Sequence, residues 1–492
     1  MQCCAWSFLT KTFLQIHLYR ISAIKLHQHL TNRIAMKPVM RDLSKELNVE
    51  IIRPTDDNYD EARKIYNGMI DKRPAYIAKC KTPDDVITAV NFAQKEEIEV
   101  SIRSGGHSGP GLALTNGGLV IDLSPMKDIQ VDQKNKTVRV EAGCTWGDVD
   151  TATHEYGMAT VSGILSTTGV GGLTLGGGHG YLSRKYGLTI DNLISAEIVL
   201  QNGKLVQTNE DENSDLFWAL RGGGGNFGVV TSFKYQLHPV KNIIGGPLFW
   251  PIDQLENTME WYRDWLPQMP HDVYAFYLIA EVAAGDPFPK EIHGKKVCGL
   301  VWCYTGPKDQ FEEIIQQARD VAKPLFEFTG KMPYPMLQSM FDGLYPSGDQ
   351  WYWKGDFVKE LSDEAIEQHV RFSKVPTPKS TMHLYPIDGA VHNTGKNEMA
   401  WNKRDAKWSM VIVGVDSDSK NAKLIKKWAQ DYWKALNPYT LGGSYINFMM
   451  DEGTDRVKAS YGSNYERLQK VKSKYDPNNF FHINQNITPK TS

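Results

Sequence analysis

The chain carries almost no net charge: Lys+Arg 55 against Asp+Glu 57 leave −2 over 492 residues. A nucleic-acid binder needs a basic footprint to neutralise phosphates, so that class of partner is set aside. Long apolar runs are missing as well. No stretch approaches the roughly 18 uninterrupted apolar residues of a membrane-spanning helix, and no unit of about 20–50 residues repeats. Cysteine is scarce: the six stand at positions 3, 4, 80, 144, 298 and 303, with no CxxC and no Cys/His grouping at zinc spacing. Neither a disulfide framework nor a metal site is expected. Cys144 and Cys298, among small or apolar neighbours, read as buried free thiols of a reducing compartment, which points to the cytoplasm.

Acidic residues are also absent before Asp42, while Lys11, Arg20, Lys25, Arg33 and Lys37 interrupt short apolar clusters. Residues 1–40 therefore form a basic extension unlike the rest. It reads either as a transit peptide or as the product of a start assigned ahead of Met36 or Met40. The chain as a whole, at 41% hydrophobic and 23% charged, has the composition of a folded protein and the length for two or three domains.

Thr82-Pro83 followed by Asp84 and Asp85 opens a helix with Val86, Ile87, Ala89, Val90 and Ala93 on its apolar side. Strands are expected at Ile98–Arg103, Gly118–Leu123, around Val138–Val140, at Leu193–Leu200 and at Val229–Leu237, and a short helix at Trp146–His154. From about 241 to 445 the composition shifts. Aromatics become dense (Trp250, Trp261, Tyr262, Trp265, Trp302, Tyr304, Trp351, Tyr352 and Trp353), and strands near Lys296–Cys303 and Lys407–Val415 alternate with helices at Gln310–Ala318 and Ala422–Leu436. This reads as a second, α+β domain whose aromatics either pack a sheet-on-helix core or line a substrate cavity.

Three glycine-rich segments carry the functional signal: Arg103-Ser-Gly-Gly-His107-Ser-Gly, Gly163 to Gly180, and Arg221-Gly-Gly-Gly-Gly-Asn-Phe-Gly228. Such density costs backbone entropy, so the fold must bring backbone close to a ligand. Successive free N–H groups in these loops suit a pyrophosphate. Gly223, Gly225 and Gly228 satisfy G-x-G-x-x-G, yet a helix-like Asp215–Leu220 precedes and a strand follows, the reverse of a Rossmann unit, so NAD binding by that route is rejected. His107, behind two glycines, is either a ligand contact or a hydrogen-bonded loop histidine.

In order along the chain, Arg103-Ser-Gly-Gly-His-Ser108, Gly169-Val-Gly-Gly172, Gly176-Gly-Gly-His179-Gly180, Arg184-Lys-Tyr-Gly-Leu188, Asp191-Asn192, Asp215 to Gly228 and Tyr475-Asp-Pro-Asn-Asn-Phe-Phe481 resemble the berberine bridge enzyme-like branch of the vanillyl-alcohol oxidase flavoproteins. The resemblance covers about residues 45 to 489. It implies an α+β architecture: a two-subdomain FAD-binding domain of the p-cresol methylhydroxylase (PCMH) type over 41–240, a substrate domain with an antiparallel sheet backed by helices over 241–445, and a C-terminal segment, 446–492, returning to the FAD domain. It further implies FAD linked covalently through His107, with the cofactor contacted by Arg103, Ser104, Gly105, Gly106, Ser108, Leu165, Ser166, Thr167, Thr168, Gly169, Val170, Gly171, Gly172, Gly176, His179, Gly228, Val230 and Asn484. Val170 is expected to border the flavin face approached by dioxygen.

Two departures matter. Many members have a second link through a cysteine where this chain has Leu165, so a single attachment is expected. Where the family's Tyr-x-Asn-Tyr motif often supplies a base, the chain reads Tyr445-Ile446-Asn447-Phe448. Phe448 cannot serve, so Tyr445 is the first candidate for the base, with His383 and Tyr385 beside it. If the segment is extended, residues 445 and 448 face opposite sides, and Tyr445 reaches the flavin only if the strand bends or bulges there. The resemblance implies an FAD-dependent oxidase passing hydride to flavin N5 and electrons to dioxygen, acting on a sugar, alcohol, phenol or secondary metabolite. A dehydrogenase with another acceptor and a flavin-bound binding module are the alternatives.

Overall fold

The computed structural model describes residues 49–285 and 288–490; the basic extension lies outside them. The expected elements near the N-terminus form where their local chemistry demands. In the helix Pro83–Lys95 the Thr82 hydroxyl accepts from the Asp85 N–H while the Asp85 carboxylate accepts from the Thr82 N–H, closing a capping box. Thr145 and Asp148 repeat the device ahead of the helix Trp146–His154.

Pro83–Lys95 connects Tyr76–Lys79 to Val100–Arg103, and both strands pair in parallel with Leu119–Asp122; Glu50–Ile52 adds an antiparallel edge. A second, five-stranded antiparallel sheet runs in the order Ile129–Asp132, Thr137–Glu141, Val229–Gln236, Leu193–Val199, Leu205–Thr208. These two sheets carry the three glycine-rich segments between and beside their strands.

The third sheet begins at Asn242 and is antiparallel throughout. Its order is Phe326–Glu327, Asn242–Pro251, Lys296–Tyr304, Val273–Glu281, Thr381–Pro386, Trp408–Asp416, Gln350–Val358. Alternation sorts its side chains. Tyr277 and Ile279 pack with helices Leu255–Trp265, Lys308–Val321, Asp363–Phe372 and Ala422–Leu436, whereas Phe276 and Leu278 on the same strand belong to a separate cluster with Tyr385, Val411 and Val413. Of the nine aromatics singled out by composition, Trp250, Tyr262, Trp265, Trp302, Tyr304 and Tyr352 are buried in the helix-side core and Trp261 packs against it. Trp351 and Trp353 lie on the other face.

The C-terminal segment folds back through a buried cation. Lys472 Nζ donates to Asn226 O (2.6 Å) and Phe481 O (3.0 Å) and pairs with Asp476 (2.6 Å), while the Ile487 N–H donates to Asn226 Oδ1 (2.9 Å). The third glycine segment is thereby pinned from behind. It follows the helix Ser214–Leu220 and precedes the strand Val229–Gln236, in keeping with the rejection of a Rossmann site. Cys80, Cys144, Cys298 and Cys303 are buried free thiols.

Candidate active site

A cavity of about 660 Å³ opens between the glycine segments and the free face of the large sheet, within the size range of ligand pockets. Its flavin-side wall is mostly backbone: Ser104 to Gly109, Gly169, Gly171, Gly172, Gly224, Gly225 and Gly228. Two backbone segments approach so closely that only glycine fits. A Cβ on Gly105 would run into Gly169 Cα, and one on Gly169 into Gly105 N. By contrast a Cβ on Gly172 or Gly225 would meet nothing within 4 Å, so at those positions backbone is open to a ligand.

Three observations fit FAD to this wall. The backbone N–H groups of Ser104 through Ser108 have no acceptor among the described residues, as a nest awaiting an anion requires. Asn484, whose Nδ2 donates to Gly225 O (3.1 Å) and Phe481 O (2.9 Å), keeps a buried Oδ1 without a donor among the described residues. His179 is buried with both ring nitrogens unpartnered, and burial pushes its pKa down to about 3, so it is a neutral imidazole beside the cavity. Buried polar groups rarely stay unpaired, and a bound molecule with a polar edge would satisfy these.

His107 also lines the cavity. Its ring stacks on Tyr66 at 4.0 Å and 16°, and burial pulls its pKa down to about 4 against a smaller upward pull from the Thr167 backbone. Tyr66 is a residue that sequence reasoning missed, since no motif surrounds it. Its hydroxyl donates to Tyr345 O (2.8 Å), tying the flavin side to the substrate side. Asn67 does the same through Gly109 O (2.7 Å) and Trp351 O (3.0 Å).

Several of the expected contacts keep their side chains out of the cavity. The Arg103 guanidinium is committed to Asp122 and Ala62 O behind the loop. The Ser166 hydroxyl bonds Asp342 and Thr167 points to solvent, so neither side chain faces the cavity, whereas Leu165 and Thr168 do. Gly176 abuts the Asn447 amide rather than open space. Val170, expected at the dioxygen approach, is fully buried in the helix Val170–Gly176 and its N–H donates to Cys144 O (2.9 Å). Thr168 holds the cavity-facing position instead.

The residues proposed as base are gathered at one end. Ile446–Phe448 is a 3₁₀ turn, not an extended strand, so Tyr445 and Phe448 do not point apart; their rings lie 4.9 Å from each other and both flank His179. The Tyr445 oxygen accepts from the Gly178 N–H (3.1 Å) and Asn447 Nδ2 (2.8 Å) and donates to Leu173 O (3.4 Å), and burial raises its pKa. Its hydrogen-bonding capacity is spent on holding the turn against the glycine helix. His383 and Tyr385 share a face of their strand, as alternation predicts, and His383 Nδ1 is hydrogen-bonded to the Tyr385 hydroxyl. His383 Nε2 has no partner among the described residues, and burial pushes the imidazole pKa down to about 3.

Residues 74–209 match a family model described as an FAD binding domain, and residues 444–488 match one described as berberine and berberine like. An FAD-linked oxidoreductase of Dictyostelium discoideum is 31% identical over 464 residues, 92% of this chain and 97% of that protein. A carbohydrate oxidase of Microdochium nivale is 28% identical, over 90% of this chain and 93% of its own. The crystal structure of 6-hydroxy-D-nicotine oxidase from Arthrobacter nicotinovorans matches with a TM-score of 0.82 at 25% identity, covering 92% of this chain and 100% of that one. With this cavity, this cradle and these relatives, the chain belongs to the berberine bridge enzyme-like FAD-linked oxidoreductases.

Proposed function

We propose that this enzyme is an FAD-dependent oxidase that withdraws a hydride from a substrate C–H beside an O–H or N–H, with dioxygen as the final acceptor and hydrogen peroxide as product. The observation that carries the reading is the His383–Tyr385 pair, which stands in the same cavity as the glycine cradle, facing it from the large sheet. Ser104 to Ser108, Gly169, Gly171 and Gly172 would hold the pyrophosphate, and His179, Val230 and Asn484 would meet the rest of the cofactor. Bound there, FAD supplies a two-electron acceptor that takes hydride and passes electrons to dioxygen.

His107 would carry the cofactor covalently. A pKa near 4 keeps the imidazole neutral at physiological pH, with a lone pair available to the flavin methyl carbon. Leu165 lines the cavity and has no nucleophile, so the attachment would be single.

His383 is our first choice as proton acceptor. With a proton on Nδ1 donated to Tyr385, Nε2 presents its lone pair to the cavity. An imidazole of low pKa is a weak base, but weakness suffices here. A substrate oxygen on its way to a carbonyl becomes strongly acidic as the hydride departs.

The test is anaerobic mixing with a panel of alcohols, phenols and sugars, followed by air. Bleaching of the flavin, then recolouring with stoichiometric peroxide, is the expected outcome. Bleaching without reoxidation by air would make the enzyme a dehydrogenase, and no bleaching by any compound would make the chain a binding module.

A further inference from the structure

The substrate-side wall of the cavity is built from the free face of the large sheet, and that face is almost dry. Alternate positions of four adjacent strands put Val301, Phe276, Leu278, Val411 and Val413 against the cavity, with His383 and Tyr385 among them. Phe276 packs on both polar rings, with centroids 5.1 Å from His383 and 5.0 Å from Tyr385. Of the other polar groups on this side, the indole N–H groups of Trp351 and Trp353 have no acceptor among the described residues, and two more are spent internally. Thr381 Oγ1 donates to Ile279 O (2.9 Å), and Lys379 is paired to Asp349 (2.5 Å). Among the described residues, Lys379 and Glu281, at the end of its strand, are the only Asp, Glu, Lys or Arg side chains reaching the cavity.

From this distribution we infer that, if the oxidase reading holds, the substrate is an apolar alcohol that presents one hydroxyl to the His383–Tyr385 pair and buries a hydrocarbon body against the sheet. A carbohydrate does not fit such a wall. Each sugar hydroxyl buried here without a partner would weaken binding by about tenfold or more, and one polar pair with two indole N–H donors, which accept nothing, cannot answer every hydroxyl of a disaccharide. A hydrocarbon body has no such debt, and its burial is driven by the area it removes from water. A carbohydrate oxidase stands among the relatives, but this sheet face argues against a sugar as the substrate of this chain.

The experiment uses the flavin-loaded protein and reads binding apart from turnover. Geraniol, cyclohexylmethanol and cellobiose are titrated anaerobically while the melting temperature and flavin spectrum are followed. The alcohols are expected to raise the melting temperature with micromolar dissociation constants, and cellobiose to have no effect at 10 mM or below, at least about a hundredfold gap. Val413→Thr, nearly equal in volume, places a hydroxyl on the wall and should weaken geraniol binding by about three- to tenfold. Cellobiose binding as tightly as the alcohols, or none of the three binding, overturns the inference. Alcohols that bind without bleaching the flavin would leave the apolar class standing and remove the oxidase reading. Flavin bleaching by cellobiose would do the reverse.

Discussion

The two walls of the cavity are built on opposite principles. The flavin side presents backbone, in three glycine segments so tight that Gly105 and Gly169 leave no room for a Cβ between them. The substrate side presents side chains, one from every second residue of a twisted sheet. A backbone site tolerates no substitution at its close approaches, so its composition is dictated; a side-chain wall can be repainted without moving the strands. That difference explains how one scaffold can serve oxidations of unlike substrates, and it makes separate demands on experiment.

The largest effect should come from the flavin side. His107→Ala should abolish retention of yellow colour in acid-precipitated protein, where the wild type should keep it and gain the mass of one FAD. The variant should also reduce more slowly, since losing the linkage lowers the flavin potential. All flavin in the wild-type supernatant would show that His107 makes no bond.

On the substrate side, His383→Ala should slow flavin reduction by roughly 10²–10⁴ if it is the base. Tyr385→Phe should cost less, because it removes an orienting partner, and Tyr445→Phe less than tenfold, because that hydroxyl holds the turn. The pH profile gives a sharper reading. A base whose pKa is pushed down to about 3 is unprotonated across the usual range, so the reduction rate should stay flat from pH 9 down to about 4 and fall only below that. A rate that halves near pH 6.5 would mean that a solvated group takes the proton.

The contrast between walls also decides what the sequence could reveal. Glycine runs at 103–109, 163–180 and 221–228 are contiguous, so the cradle, His107 and the family are legible as strings. The PCMH-type architecture follows from them, and the helices at 83–95 and 146–154 are marked by their caps. Phe276, Val301, Val411 and Val413 come from strands far apart in the chain, and each alone reads as an ordinary strand residue; only the pairing register assembles them. Tyr66 has no signal at all. The 3₁₀ turn at 446–448 was illegible for another reason: a short polar-apolar stretch carries too few residues to distinguish period 2 from period 3.

Access of dioxygen tests where the walls meet. Thr168 faces the cavity and Val170 does not, so Thr168→Leu should slow reoxidation by roughly tenfold, about 1.4 kcal/mol of barrier, while leaving reduction nearly intact. Val170→Leu forces an extra methylene into a filled core and should cost about 1–3 kcal/mol of stability with little change in reoxidation. Stopped-flow rates and melting curves on the same two variants would expose a reversal.

The smallest expected effect on catalysis lies at the seam between the two regions. Asp150, on the helix Trp146–His154, accepts from Gln338 Nε2 (3.1 Å), and Gln338 belongs to the helix Tyr334–Ser339 on the substrate side. Among the described residues, Asp150 Oδ1 and Gln338 Oε1 are both buried acceptors without a donor, and burial raises the Asp150 pKa to about 7. A proton on the carboxyl supplies a missing donor. Because the folded value lies above the ordinary carboxyl range, the folded state holds this proton where the unfolded chain has lost it. Its contribution is therefore complete below about pH 4 and is lost as pH rises through 7, with a ceiling of about 4 kcal/mol. Asp150→Asn keeps an oxygen for Gln338 Nε2 and adds a permanent donor, so it should melt at nearly the same temperature at pH 5 and pH 8. The wild type should melt several degrees lower at pH 8 than at pH 5. Equal slopes in the two proteins would place the pH sensitivity elsewhere than at this seam.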